Sequence, residues 1–159
     1  MTKTQIRQRN KREFVNTVND IQNDINVKQM DTFRHHKTTT TLRHCYRVAR
    51  MSMKMADRLH LKVDPKSLAK GAMLHDFYLY EFKNEPISGW NHGTGHPKTA
   101  LRNARELFEL NAKEENIIRS HMWPLTLLHP PKSKEAMLVS IADKIVAFHE
   151  MLLSKKRSR

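Results

Sequence analysis

Ten of the 159 residues are histidines, and four of them stand with two aspartates where their side chains can do chemistry. His44 lies at the edge of an apolar helical face, one residue before Cys45. His75 and Asp76 form a doublet at the end of an apolar run, GAMLHDFYLY. His96 closes the glycine-rich stretch ISGWNHGTGHP, and His121 follows Ile117 and Ile118 by one helical turn. Asp143 sits in LVSIADKIVAFHE, where its helical neighbours are Ala136, Val139, Ser140, Val146 and Ala147. A carboxylate on such a face must be ion-paired, hydrogen-bonded or bound to a metal, because burying it unpaired is costly. For Asp143 alone, one histidine or arginine partner is explanation enough. Imidazole or carboxylate groups on five consecutive segments, all at apolar edges, favour a metal centre instead. They are the ligand set of Zn, Fe, Mn, Co and Ni.

Such a centre needs a scaffold, and the chain reads as helices. Phe14, Val15, Val18, Ile21 and Ile25 follow helical spacing and predict a helix over 11–28. The threonine run at 38–41 offers a cap for a helix over 40–60 whose apolar face is Cys45, Val48, Ala49, Ser52, Ala56 and Leu59. Asp64-Pro65 reads as an N-cap with proline at the first helical position, opening a helix over 65–77. Pro97 opens another, preceded by a loop over 87–97, and a short helix over 112–121 follows. The last helix covers 133–153, with Leu138, Ile141, Ala142, Ile145, Phe148 and Leu152 predicted inward. No segment alternates with period two. The expected fold class is all-α, one compact bundle of about six helices.

Composition bounds the remaining possibilities. With 159 residues, one domain is expected, large enough to bury a core. One cysteine excludes an internal disulfide and suits a reducing, cytoplasmic setting. The polar start MTKTQIRQRNKR does not read as a secretory signal, and no run is apolar enough to span a membrane. The net charge of +13 is uneven. Residues 1–12 carry five bases and no acid, and 155–159 carry four bases; the body at 13–154 holds twenty bases against sixteen acids. The two tails are either solvated ends or contacts for nucleic-acid phosphate. Neither carries the aromatic residues that stack bases.

The order His44, His75-Asp76, Asp143 resembles the H…HD…D signature of the HD superfamily of metal-dependent phosphohydrolases. The local contexts HCYRVA, GAMLHD and IADK match as well. His96 in HPKTAL and His121 in IIRSHMWPL resemble the two extra histidines of its six-ligand branch. The resemblance covers residues 33–152. It implies one or two divalent transition-metal ions, with His44, His75, Asp76 and Asp143 holding one. Asp76 would bridge to a second ion held also by His96 and His121, and a bridging water or hydroxide would be the nucleophile. His75 and Asp76 are thereby the implied catalytic doublet. The residues after it, FYLYE, lack the Gly-Tyr-Pro set of cyclic-dinucleotide phosphodiesterases. They also lack the acid four positions after His75 found in some deoxynucleotide phosphatases, since Leu79 stands there. The ligand pattern is closest to small six-ligand members, including symmetrical dinucleoside tetraphosphate hydrolases.

Cations beside these positions are candidates for substrate phosphate: Arg47 one turn after His44, Lys98 two residues after His96, and Lys144 next to Asp143. His92 lies four residues before His96, as an alternative ligand or a neighbour of the centre. His35 and His36 precede His44 closely enough to line its mouth, and His36 is preferred as a phosphate contact. Tyr78, Tyr80, Trp90 and Trp123 could stack a base, and Cys45 reads as core. The expected activity is hydrolysis of a phosphate ester or phosphoanhydride of a small, nucleotide-like substrate. The alternatives are a di-iron oxygenase built on the same ligands, or a non-catalytic module that binds nucleotide or nucleic acid.

Overall fold

Capping residues set most of the helix starts. The computed structural model describes residues 1–36, 39–79 and 89–156, apart from the side chains of residues 36, 89–93 and 156. Helix α1 spans Lys3–Asn23 and begins well before the predicted position 11. Thr2 accepts from the Gln5 amide, while the Gln5 side chain accepts from the Thr2 amide. Its first buried residue is Phe14, followed by Val18 and Ile21, so the basic N-terminal turns extend past the core as exposed helix. The predicted helix also breaks at Asp24, whose carboxylate caps the single turn α2, Ile25–Lys28. A 3₁₀ turn, Gln29–Asp31, follows.

An antiparallel ribbon that period-two reading did not reveal comes next. Strand β1 is Arg34–His36 and β2 is Thr39–Thr40. Both are too short to show alternation. Thr40 then caps α3, Thr41–Arg58, by accepting from the Arg43 amide. Asp64 caps α4, Pro65–Leu74, by accepting from Lys66 and Ser67 amides, as its sequence predicts. Helix α4 is the centre of the molecule and touches α1, α3, α5, α6 and α7. A Cβ on Gly71 would meet the Ile117 side chain at 2.7 Å. Gly71→Ala is therefore expected to lower stability by about 1–3 kcal/mol, despite alanine's better helix propensity. Thermal unfolding checks this, and an unchanged or raised Tm would contradict it.

Helix α5, Gly89–Leu107, runs through most of the stretch expected to be a loop, with Pro97 inside it. Glycine and proline disfavour helix by local propensity. The contacts that anchor this helix lie in its second half. Arg105 makes a bidentate bridge to Glu115 at 2.7 Å, and the Asn103 amide donates to the Phe77 carbonyl at 3.0 Å. Helix α6, Ala112–Ser120, is capped by a reciprocal Asn111–Glu114 box.

The last helix, α7, spans Lys134–Lys156 and packs on α3 and α6. Its rotation differs from the predicted one. Leu138 and Ala142 are buried, but Ile141, Ile145 and Leu152 are exposed, and Phe148 is 61% exposed. The inward face is instead Ala136, Val139, Ser140, Asp143, Val146 and Glu150. Apolar residues lie all round this helix, so their periodicity does not select a face. Asp143 and Glu150 do, because both carboxylates find their partners on α3. The architecture is all-α apart from the small ribbon. Among the described residues, no helix is long and apolar enough to cross a membrane.

Candidate metal centre

Two of the histidines are delivered by the same local device. His75 is the C-cap of α4 and His121 is the C-cap of α6. The last carbonyls of a helix lack amide partners. His75 Nδ1 donates to Ala72 O at 2.7 Å, and His121 Nδ1 donates to Ile118 O at 2.8 Å. A carbonyl only accepts, so the proton sits on Nδ1 in both rings and Nε2 turns inward as a lone-pair donor for a cation. Helix α3 adds His44, α5 adds His96 and α7 adds Asp143, all buried.

These groups gather around the two oxygens of Asp76. On the Oδ2 side, His44 Nε2 is 3.9 Å and His75 Nε2 3.4 Å away. Asp143 Oδ1 completes this set, 2.9 Å from His44 Nε2 and 3.7 Å from His75 Nε2. On the Oδ1 side, His96 Nε2 is 3.2 Å and His121 Nε2 3.4 Å away, and these two nitrogens are 2.7 Å apart. Neighbouring ligand atoms around an ion with bonds near 2.1 Å lie roughly 3.0–3.4 Å apart, so both sets are close to the required spacing. His75 Nε2 and Asp76 Oδ1 are buried without a hydrogen bond, as expected of atoms kept for a cation. The donor set therefore fits divalent metal at two adjacent positions sharing Asp76.

The electrostatics point the same way. Burial opposes charge on His44, but the Asp143 and Glu150 carboxylates outweigh it and raise its pKa to about 10. Burial also opposes charge on His75, yet Asp76 and its neighbours carry the pKa well above the ordinary imidazole value. Burial works against ionisation of Asp76 and Asp143 as well, but the histidines hold both carboxyls well below their usual range. For His121, burial dominates and its pKa is lowered, leaving a neutral ring. With only the protein's own groups present, protons on His44 and His75 supply the positive charge that this pocket demands.

Glu150 is a buried member of the cluster that the sequence analysis passed over. It is buried on α7, two turns beyond Asp143 on the same face. Its Oε2 is 3.0 Å from His44 Nδ1, opposite the Nε2 held by Asp143, and its Oε1 accepts from Arg47 at 2.8 Å. The i, i+7 spacing of two acids on one helix was the available signal. A carboxylate on the far nitrogen of a ligating histidine fixes its tautomer and orientation. Glu150→Gln is expected to weaken metal binding about 10- to 100-fold while helix content stays unchanged. Titration with Mn²⁺ checks this, and wild-type affinity in the variant would contradict it.

The cations predicted to meet substrate are placed differently from one another. Arg47 is tied to Glu150 and Thr39. Lys144 donates to His121 O, Ser140 O and Ser140 Oγ, each at 3.0 Å, and so clamps the end of α6 to α7. Burial lowers its pKa. Lys144 is thus committed to the protein itself, whereas the Arg47 side chain is 48% exposed and engages Thr39 and Glu150 through Nη1 alone. Lys98 is exposed on α5. The side chains of His36, His92 and Trp90 lie outside the described residues, as does Tyr80. Tyr78 is buried with its ring edge-on to His96 at 5.6 Å, and Cys45 is buried in the core. His35, the less favoured of the two neighbours of His44, reaches the centre: its Nε2 is 3.1 Å from Asp76 Oδ2.

A family model described as HD domain matches residues 41–147. No curated protein and no solved structure matches the chain. The matched span is well over half of the sequence and holds His44, His75, Asp76, His96, His121 and Asp143. With that match over a helical fold that draws the H…HD…D residues into one buried cluster, the chain belongs to the HD domain family.

Proposed function

We propose that the protein is a metal-dependent phosphohydrolase acting on a phosphate ester or phosphoanhydride of a small, nucleotide-like substrate. The observation that carries this reading is the sharing of Asp76: its two oxygens face two separate sets of ligating atoms within one buried cluster. His44, His75, Asp76 and Asp143 would hold one divalent ion, and Asp76, His96 and His121 the other. Divalent metal held there lowers the pKa of water and stabilises charge on attacking and leaving oxygens.

The chain's own residues do the rest. The two helix-end histidines aim Nε2 inward through their Nδ1 bonds to Ala72 O and Ile118 O. Asp143 and Glu150 grip the two nitrogens of His44 and hold its ring in one orientation. Phosphoryl transfer mainly requires positioning and charge stabilisation, so this rigid cradle supplies what the reaction needs without a serine or cysteine nucleophile. Cys45, buried in the core beside His44, is not placed to attack a substrate. The basic residues on the exposed first turns of α1 and at the C-terminal end are the surfaces through which nucleic acid would be met, by phosphate contact.

The test is reconstitution. Chelated protein supplied with Mn, Fe, Co, Ni or Zn is screened for phosphate release from nucleotides, dinucleoside polyphosphates and sugar phosphates. Metal-dependent turnover is expected, with oxygen from labelled water in the released phosphate. Failure on the whole panel, with metal bound, would replace this reading with the binding module. Iron-specific, oxygen-dependent turnover would replace it with the oxygenase.

A further inference from the structure

Counted along the chain, the bases and acids of residues 13–154 nearly balance, but the fold sorts them. Helix α3 buries His44 and the apolar residues of its inner side. Its exposed residues are Arg43, Tyr46, Arg47, Arg50, Lys54 and Arg58. All but Tyr46 are cations, spaced three or four apart, so they form one stripe along the helix. At the rise of an α-helix, the stripe from Arg43 to Arg58 is about 22 Å long. No acid interrupts it. Asp57, the one acid of α3, is half-buried and lies 3.5 Å from Arg7 of α1. Glu150 is buried beneath Arg47, whose side chain stays 48% exposed. Among the described residues, Arg43, Arg50, Lys54 and Arg58 make no ion pair, and Arg50 lies over the Tyr46 ring, 5.8 Å from its centroid. On α5, by contrast, the exposed Arg105 pairs with Glu115, and Glu106 follows it.

Like charges three and four apart on a helix repel, so α3 is less stable with this stripe than with alternating charge. A partner that relieves the repulsion along the whole stripe must be long and multiply anionic. We infer that the outer face of α3 binds the phosphate backbone of nucleic acid, without regard to base sequence. One strand of a duplex carries a phosphate roughly every 3.4 Å of axis, so about six face a stripe of this length. Exposed arginine and lysine heads are the groups that displace counterions from such a backbone. Tyr46, 36% exposed within the stripe, adds an aromatic surface on which an unpaired base stacks. Arg7 brings the exposed basic turns of α1 to the C-terminal end of the stripe, so the basic N-terminus extends this surface. A lipid surface fits less well. A helix lying on lipid presents large apolar residues beside its bases, whereas those of α3 pack on the core. The inference goes beyond the phosphohydrolase reading and does not rest on it, since α3 gives the metal centre only its buried side, through His44.

The experiment titrates full-length protein with a short labelled DNA of mixed sequence, single-stranded and as duplex, over a range of NaCl concentrations. Wild-type protein is expected to bind both, and log affinity for the duplex to fall against log salt with a slope of about −4. Combining Arg43→Gln, Arg50→Gln and Lys54→Gln should weaken binding about a hundredfold or more at low salt and flatten the slope by about three. Arg43→Lys with Arg50→Lys keeps the charge and should bind within about threefold of wild type. Lys62→Gln, Lys66→Gln and Arg102→Gln together remove the same charge from exposed positions off the stripe, and should also stay within about threefold. Circular dichroism confirms that each variant keeps its helix content. An equal loss in the off-stripe variant would show that net charge alone binds, and would overturn the proposal. Unchanged affinity in the stripe variant would overturn it too. So would wild-type protein that binds no DNA, or that binds only vesicles of anionic lipid. Each of these outcomes leaves the phosphohydrolase reading standing.

Discussion

Asp76→Ala is expected to remove bound divalent metal from both halves of the cluster and to lower hydrolysis about a thousandfold or more, since such ions contribute several kcal/mol to the transition state. The effect is large because one carboxylate serves both sets of ligands. Its Oδ2 faces His44 and His75, and its Oδ1 faces His96 and His121. The variant leaves five buried or nearly buried imidazoles, His35 included, with Asp143 and Glu150 as the remaining carboxylates close by. Histidine without a counter-charge binds cations less well, and Asp76 is the carboxylate that His96 and His121 share. Helix content should survive, because Asp76 lies after the end of α4 and caps no helix. Metal analysis and circular dichroism of the purified variant check both halves of this expectation. A variant that keeps both metal and activity would dismiss the shared carboxylate.

Metal affinity is expected to climb steeply with pH. His44, with its pKa near 10, carries a proton on both nitrogens at neutral pH, and His75 is raised in the same direction. A ligating Nε2 must give up its proton, so loading releases one proton from His44 and up to one more from His75. Linkage then gives about a tenfold rise in apparent affinity per pH unit for each proton released. Between pH 6 and 8 the change should reach about a hundredfold for His44 alone, since this window lies wholly below its pKa. Calorimetry in buffers of different ionisation heat counts the protons directly. An affinity flat across that range would contradict the assigned ligand.

The same pairs carry the opposite sign for the stability of metal-depleted protein. His44 has a raised pKa, so its contribution is complete below the ordinary value of 6.5 and is lost as pH rises toward 10. Asp76 and Asp143 have depressed values, so theirs is complete above the ordinary carboxylate range and is lost on acidification. For these groups, stability peaks between the carboxylate and imidazole ranges.

What the sequence determined by itself is local or ordered along the chain. Thr40 and Asp64 act as caps because a cap needs only a side-chain oxygen two or three residues from an amide. That His44, His75-Asp76, His96, His121 and Asp143 would seek partners was legible because imidazoles and carboxylates at apolar edges demand one. Tertiary structure decided what depends on residues far apart. Apolar periodicity turned α7 the wrong way, since Ile141, Ile145 and Phe148 look as core-like as Val139 and Val146. The rotation was settled by Asp143 and Glu150 reaching His44, 99 and 106 positions away. Helix α5 runs through the glycines and Pro97, which local propensity reads as a loop. Glu150 and His35 belong to the cluster, and Arg47 and Lys144 engage other protein groups, through contacts between elements distant along the chain. Spacing along a chain reports which face of an element is apolar, but only packing brings one element's charges to another's.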